Sequence, residues 1–141
     1  MTIEEFLKDD RYAVFSGVKL IEARPGYAKT QMEVKPMHLN AGNVVQGGAL
    51  FTLADLAFAA AANAYGVLSV SAETSIRFFK GVRQGVLTAV AKTVHLHIKL
   101  ATFQVEIRDE SGELVALFTA TAYRKNVPLN INNPEDFESL A

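Results

Sequence analysis

The sequence predicts an α+β fold in which a curved antiparallel β-sheet wraps around one long central helix. Three observations predict it. The segment Gly47 to Ala64 is dominated by Ala and Leu and is apolar nearly all round, so a helix there must be enclosed on most sides. The segments before and after it alternate with the two-residue period of β-strands. Several of these strands also carry small or apolar residues on both faces, as in Val115, Leu117 and Thr119 opposite Ala116, Phe118 and Ala120. A sheet with one face on the helix and a second semi-apolar face has a surface to offer another subunit.

Taken in order, Thr2 and Glu5 have the spacing of a capping box and predict a short N-terminal helix within residues 2–9, centred on Ile3–Lys8. Val18–Arg24 reads as a strand, Pro25-Gly26 as a turn, and Tyr27–Val34 as the second arm of a hairpin. In that second arm Ala28, Thr30, Met32 and Val34 share a face. Pro36–Gln46 is a loop of polar and small residues. The long helix follows, with Gly66 placed to end it. Val67–Lys80 is β-rich and is broken by Gly81 and Gly85. Val86–Leu100 places Val90, Val94, Leu96 and Ile98 on one face, with Ala91, Thr93, His95 and His97 on the other. Phe103–Asp109 alternates again, Asp109 to Gly112 is a turn, and Glu113–Arg124 is the last strand. The order is two strands, one helix, then three or four antiparallel strands. Residues 127–141 read as a polar, loosely held tail, and the whole chain, 1–141, as a single domain.

Bulk properties exclude several classes. The chain has 141 residues, 50% of them hydrophobic, enough for a real core. A net charge of −1 gives no reason to expect nucleic acid or an anionic membrane as partner. With no cysteine, disulfides, thiolate metal sites and cysteine nucleophiles are ruled out. The N-terminus lacks the basic-then-apolar layout of a signal peptide. The longest apolar stretch, Gly47 to Tyr65, is interrupted by Thr52, Asp55 and Asn63, as suits a core helix rather than a membrane span. The expectation is a cytoplasmic protein.

Between Lys35 and Glu73, Asp55 is the only formally charged residue, and it sits in the middle of the hydrocarbon helix. A buried carboxylate either shifts its pKa upward or acquires dedicated hydrogen bonds, and such groups cluster at functional sites. The plain alternative for an isolated Asp is a solvated helix position or a cap on a neighbouring loop. Its surroundings favour function. Gly47-Gly48 opens the same helix, where the first N–H groups lack partners and the dipole is positive. Glycine there lets a ligand approach the backbone, so that this end can hold a carbonyl oxygen as it becomes an oxyanion. Eight residues at about 1.5 Å rise separate Gly47 from Asp55 by roughly 12 Å. Both groups must come within about 3 Å of one reacting carbonyl, which a single helix cannot achieve. Two antiparallel copies related by a two-fold axis can, so any such site lies at a dimer interface.

The run from His38 through Asn40, Gln46, Gly47 and Gly48 to Leu53-Ala54-Asp55 resembles the hotdog-fold acyl-CoA thioesterases, in particular the PaaI-type (phenylacetic acid degradation) subfamily. The similarity extends over about residues 15 to 125, through Phe58, Asn63, Gly66, Ser71–Phe78, Gly85–Ala89 and Val115–Phe118. The resemblance implies a hotdog fold and hydrolysis of a small aryl or short- to medium-chain acyl-CoA, such as phenylacetyl-CoA, to free acid and CoA. It implies Asp55 as nucleophile or general base, Gly47 N–H as the group polarising the thioester carbonyl, and Asn40 as the positioner of water or carboxylate. Gln46, Gly48, Ser71 and His38 would contact substrate. Arg77, Lys80, Arg83, Arg124 and Lys125 are candidates for the CoA phosphates, although ordinary solvated charge is the plainer reading of any one of them. No cofactor is implied. The expected partner beyond acyl-CoA is the chain itself, as a homodimer and, by pairing of dimers, a homotetramer. One departure stands out: the subfamily commonly has His before Gly-Gly, and here the residue is Gln46. Glutamine donates and accepts hydrogen bonds but carries no proton at neutral pH. A non-catalytic acyl-CoA- or lipid-binding module is therefore the alternative, and a hotdog hydratase a third reading. His95 and His97 share a strand face without an evident third ligand, so no metal site is expected. Phe51, Phe58 and Phe78 read as core or as an acyl pocket.

Overall fold

A computed structural model describes residues 1–131. Two short helices, α1 (Ile3–Leu7) and α2 (Arg11–Phe15), precede the hairpin β1 (Val18–Arg24) and β2 (Tyr27–Glu33). A 3-10 turn, Pro36–His38, leads to the long helix α3 (Gly47–Asn63). Four strands then follow, β3 (Val67–Phe78), β4 (Val86–Leu96), β5 (Leu100–Arg108) and β6 (Leu114–Pro128). All six strands form one antiparallel sheet in the order β1-β2-β4-β5-β6-β3. Helix α3 packs against every one of them. The result is a curved sheet wrapped around a central helix, the hotdog arrangement expected.

The packing follows from the residues facing α3. Ala54, Ala57, Ala60 and Ala61 have no solvent exposure, and they share one core with Ala28, Ala89, Ala91, Ala120 and Ala122 of the sheet. Small side chains on both sides bring sheet and helix close, and Phe58 fills the middle edge-on against Phe103 at 5.4 Å. Phe51 meets Phe118 in the same way at 5.2 Å, so Phe51 and Phe58 belong to the core. Close approach also permits a direct tie: the buried Thr30 hydroxyl on β2 donates to the Leu53 carbonyl of α3 at 2.8 Å. Gly66, at φ +84°, adopts the left-handed conformation that ends the helix region.

Four expectations need correction. The N-terminal capping box forms, with Thr2 and Glu5 bonded reciprocally, but α1 ends at Leu7 and a second helix, α2, follows it. Asp10 caps α2 by accepting from Ala13 N–H at 3.1 Å; five residues are too few for a periodic signal. In β4 the core face is Leu87, Ala89 and Ala91, while Val94 and Ile98 are exposed. A bulge between Thr93 and His95 breaks the alternation that the sequence carries onward. The strand stops at Leu96, and β5 already begins at Leu100. Finally, β6 runs on to Pro128, into the stretch expected to be tail, because Val67 of β3 pairs with it there. The remainder of that tail, 132–141, lies outside the described residues. No helix among the described residues is long and apolar enough to cross a membrane.

Candidate active site at the start of the central helix

The loop before α3 is built around Asn40. Its Oδ1 accepts from Gly42 N–H at 2.8 Å and Val44 N–H at 3.2 Å, and its own N–H donates to Val44 O at 2.7 Å. Asn43 takes the positive φ of 64° that this tight turn needs. The loop is anchored outward by Val45 N–H to Val82 O and inward by Gln46 N–H to His38 O. Asn40 thus keeps only its amide Nδ2–H groups for anything else.

Gln46 is the N-cap of α3, and its Oε1 accepts from Gly48 N–H at 3.1 Å. That satisfies one of the orphan donors of the first turn. Ala49 and Leu50 N–H turn back to Gln46 O. Among the described residues, Gly47 N–H has no acceptor. It is the one donor of the first turn left open, at the positive end of a seventeen-residue helix. The end of the Phe78 ring lies beside Gly47, so that a Cβ on residue 47 would stand 2.9 Å from Phe78 Cζ.

Asp55 lies two turns further along α3, on the half-exposed strip that includes Thr52 and Ala59. Its carboxylate makes no hydrogen bond among the described residues. Burial pushes its pKa above the ordinary 3.8, and the nearby Asp10 charge pushes it further in the same direction. Asp10 was not singled out from the sequence. Nothing local marks it, because its proximity to Asp55 comes from the docking of α2 on α3.

The remaining residues divide. His38 is buried with both ring nitrogens engaged: Nδ1 accepts from Lys35 N–H at 2.9 Å, and Nε2 is 2.7 Å from Ser16 O, to which it donates. It holds the turn and α2 together and has no free nitrogen for a substrate. Lys80 lies at the rim of a groove with Asn40, Gly47 and Phe78. Its ammonium is bound by Asp109 at 2.5 Å and Glu113 at 2.6 Å, which holds the Asp109 carboxyl well below the usual range. Arg77 and Arg83 are exposed with no ion pair among the described residues. Ser71 is exposed on β3, at a bulge next to Glu73. Within one chain, Asn40, Gln46, Gly47 and Gly48 come together, whereas Asp55 lies two turns further along α3 and Ser71 on the edge strand β3. The His95 and His97 rings stack 6.4 Å apart, and no group of three metal-binding side chains occurs among the described residues.

A curved antiparallel sheet wrapped around one long central helix is the hotdog fold. The sequence model of the thioesterase superfamily matches residues 42–116, and the chain belongs to that family, among its PaaI-type members. The acyl-coenzyme A thioesterase PaaI of Escherichia coli is 33% identical over 118 residues, covering 83% of this chain and 84% of that one. Its structure, from the phenylacetic acid degradation operon, superposes with a TM-score of 0.85 at 30% identity over 89% and 92% of the two chains. A protein of Archaeoglobus fulgidus, named provisionally as an esterase, is 43% identical over 84% of this chain and 78% of its own. The Thermus thermophilus protein TT0310 gives a TM-score of 0.78 at 37% identity, covering 82% and 97%. The chain is accordingly an acyl-CoA thioesterase in class.

Proposed function

We propose that this chain, acting as one cytoplasmic domain, hydrolyses a small aryl or short- to medium-chain acyl-CoA, of the phenylacetyl-CoA kind, at a site completed by a second copy of itself. The observation that carries this reading is the pair of unspent groups on α3. Among the described residues Gly47 N–H lacks an acceptor and Asp55 lacks a donor, and the helix separates them by roughly 12 Å. Two antiparallel copies bring Gly47 of one to Asp55 of the other. The Gly47 N–H then polarises the thioester carbonyl and stabilises the developing oxyanion. Asp55 of the second copy attacks the carbonyl or removes a proton from the attacking water. Asn40 Nδ2 orients that water, and Ser71 assists from β3. Gln46 steadies the first turn through Oε1 and presents its amide N–H to the thioester, a role that needs no protonation. Gly48 gives the backbone room. Of the candidate cations, Arg77 and Arg83 are free to meet phosphates, while Lys80 is already neutralised by two carboxylates.

The test is thiol release from a panel of acyl-CoAs that includes phenylacetyl-CoA. Asp55→Ala should lose about 100-fold or more in kcat while remaining folded. Wild-type-like turnover in that variant would sink the assignment. Micromolar acyl-CoA binding without thiol release by the wild type would instead favour the non-catalytic binding module.

A further inference from the structure

Helix α2 buries only Ala13 and turns its larger side chains outward: Tyr12 is 70% exposed and Phe15 81%. Across from them Met37, on the 3-10 turn, is 57% exposed. These three walls enclose a groove whose floor is Asn40, Gln46 and Ala49. Gln46 and Ala49 flank Gly47 in sequence, and Asn40 lines both this groove and the neighbouring one that contains Gly47. Among the described residues no charged side chain lines this first groove. The second groove lies on the other side of Asn40, past Gly47, Phe78 and Phe79. Its rim carries Lys80 with the two carboxylates that bind it.

The backbone segments that carry the walls of the first groove are tied to one another. His38 ties Ser16 O, next to Phe15, to the turn that carries Met37, through Nε2 at 2.7 Å and through Lys35 N–H at 2.9 Å. Asp10 caps the far end of α2 at 3.1 Å. Aromatic and thioether side chains around an uncharged cleft fit a flat or branched apolar group. An apolar group gains more by leaving water there than beside an ion cluster.

Resting on the thioesterase reading above, we propose that Tyr12, Phe15 and Met37 form the acyl-binding groove and set acyl specificity, with an aryl or comparably bulky acyl group lying along α2. The CoA arm leaves by the Phe79–Lys80 side. His38 is a positioning residue that holds the groove walls.

The test uses two ketone analogues that cannot be hydrolysed, phenylacetonyl-CoA and acetonyl-CoA, titrated calorimetrically into the full-length protein. In wild type the phenylacetonyl analogue should bind more tightly. Phe15→Ala should reduce that preference by about tenfold while affinity for acetonyl-CoA stays the same. Phe15→Leu, which keeps the wall apolar, should lose only part of it. An unchanged preference in both variants overturns the proposal, as does a preference that survives Phe15→Ala but collapses in Phe79→Ala. Light scattering reports the association state. If Phe15→Ala alters it, the face is an inter-subunit surface, and Phe15→Leu then decides: a preference still at the wild-type level overturns the proposal. The two readings fail separately. Analogue binding as described without thiol release would remove hydrolysis and keep the groove. Thiol release with an unchanged preference would do the reverse.

Discussion

At position 55 the helix exchanges hydrocarbon for a carboxyl group whose neutral form is favoured, first by burial and second by the charge of Asp10. A pKa raised in the folded state means that the folded protein binds more protons than the unfolded chain between the two pKa values. The penalty is absent below the unfolded carboxylate range, grows as pH rises through the window, and is complete at neutral pH. Asp55→Asn should therefore raise Tm by a few degrees at pH 7, with the gain disappearing below about pH 4; an equal or lower Tm at pH 7 would contradict the burial argument. Asp10 permits a finer test on the proposed chemistry. Asp10→Asn keeps a good N-cap for α2 but removes the neighbouring charge, so the acid limb of the kcat/KM profile should move to lower pH. Asp55 was legible in the sequence as the lone charge in a long apolar stretch. Asp10 was not, since only the folding of α2 onto α3 brings the two carboxylates near each other.

The elements show the same division between local signals and tertiary ones. Helix α3 announced itself through Ala and Leu content, with Gln46 and Gly66 at its ends. Strand β2 was equally readable, because its alternation agrees with its burial, and β1 followed from the Pro25-Gly26 turn that joins them. Strand β4 misled because the core contacts are made by Leu87, Ala89 and Ala91, while the larger Val94 and Ile98 face solvent. Alternation ranks faces by hydrophobicity. Here the closeness of α3 selects the smaller side chains instead, and that closeness is a property of the assembled fold. Thr30 measures it directly. Replacing it with Val keeps the shape but deletes the hydroxyl bond to Leu53 O, leaving a buried carbonyl short of one partner. A loss of about 1–2 kcal/mol is expected in denaturant unfolding. His38 is the parallel case in the loop. The sequence placed it at the site, and the structure engages both of its nitrogens in joining α2 to the turn. His38→Ala strands one buried and one part-buried main-chain group and should cost about 1–3 kcal/mol.

On the scale of the whole molecule, β3 is an edge strand of twelve residues with most of its outer half exposed. A long open edge in a folded protein calls for a cover, and a second copy meeting β3 agrees with the two-fold arrangement proposed for Gly47 and Asp55. Subunit mixing tests that arrangement without any structure of the dimer. One parent is Asp55→Ala, which keeps Gly47 N–H. The other is Gly47→Pro, which keeps Asp55 but deletes the donor. Proline is tolerated at the first position of a helix, and Gln46 before it already has the extended ψ of 141° that proline requires. Its ring would displace the Phe78 side chain, so the fold of this parent must first be verified by its Tm. Each parent alone should be nearly inactive, because each of its homodimers lacks one group at both sites. After unfolding and joint refolding at equal concentration, half of the randomly paired dimers are mixed. In these, Gly47 from the Asp55→Ala subunit faces Asp55 from the other, so one of two sites is whole and about a quarter of the wild-type rate should return. If mass spectrometry confirms mixed dimers and no activity returns, Gly47 and Asp55 do not share a site across subunits, and the reaction must be completed by groups of a single chain.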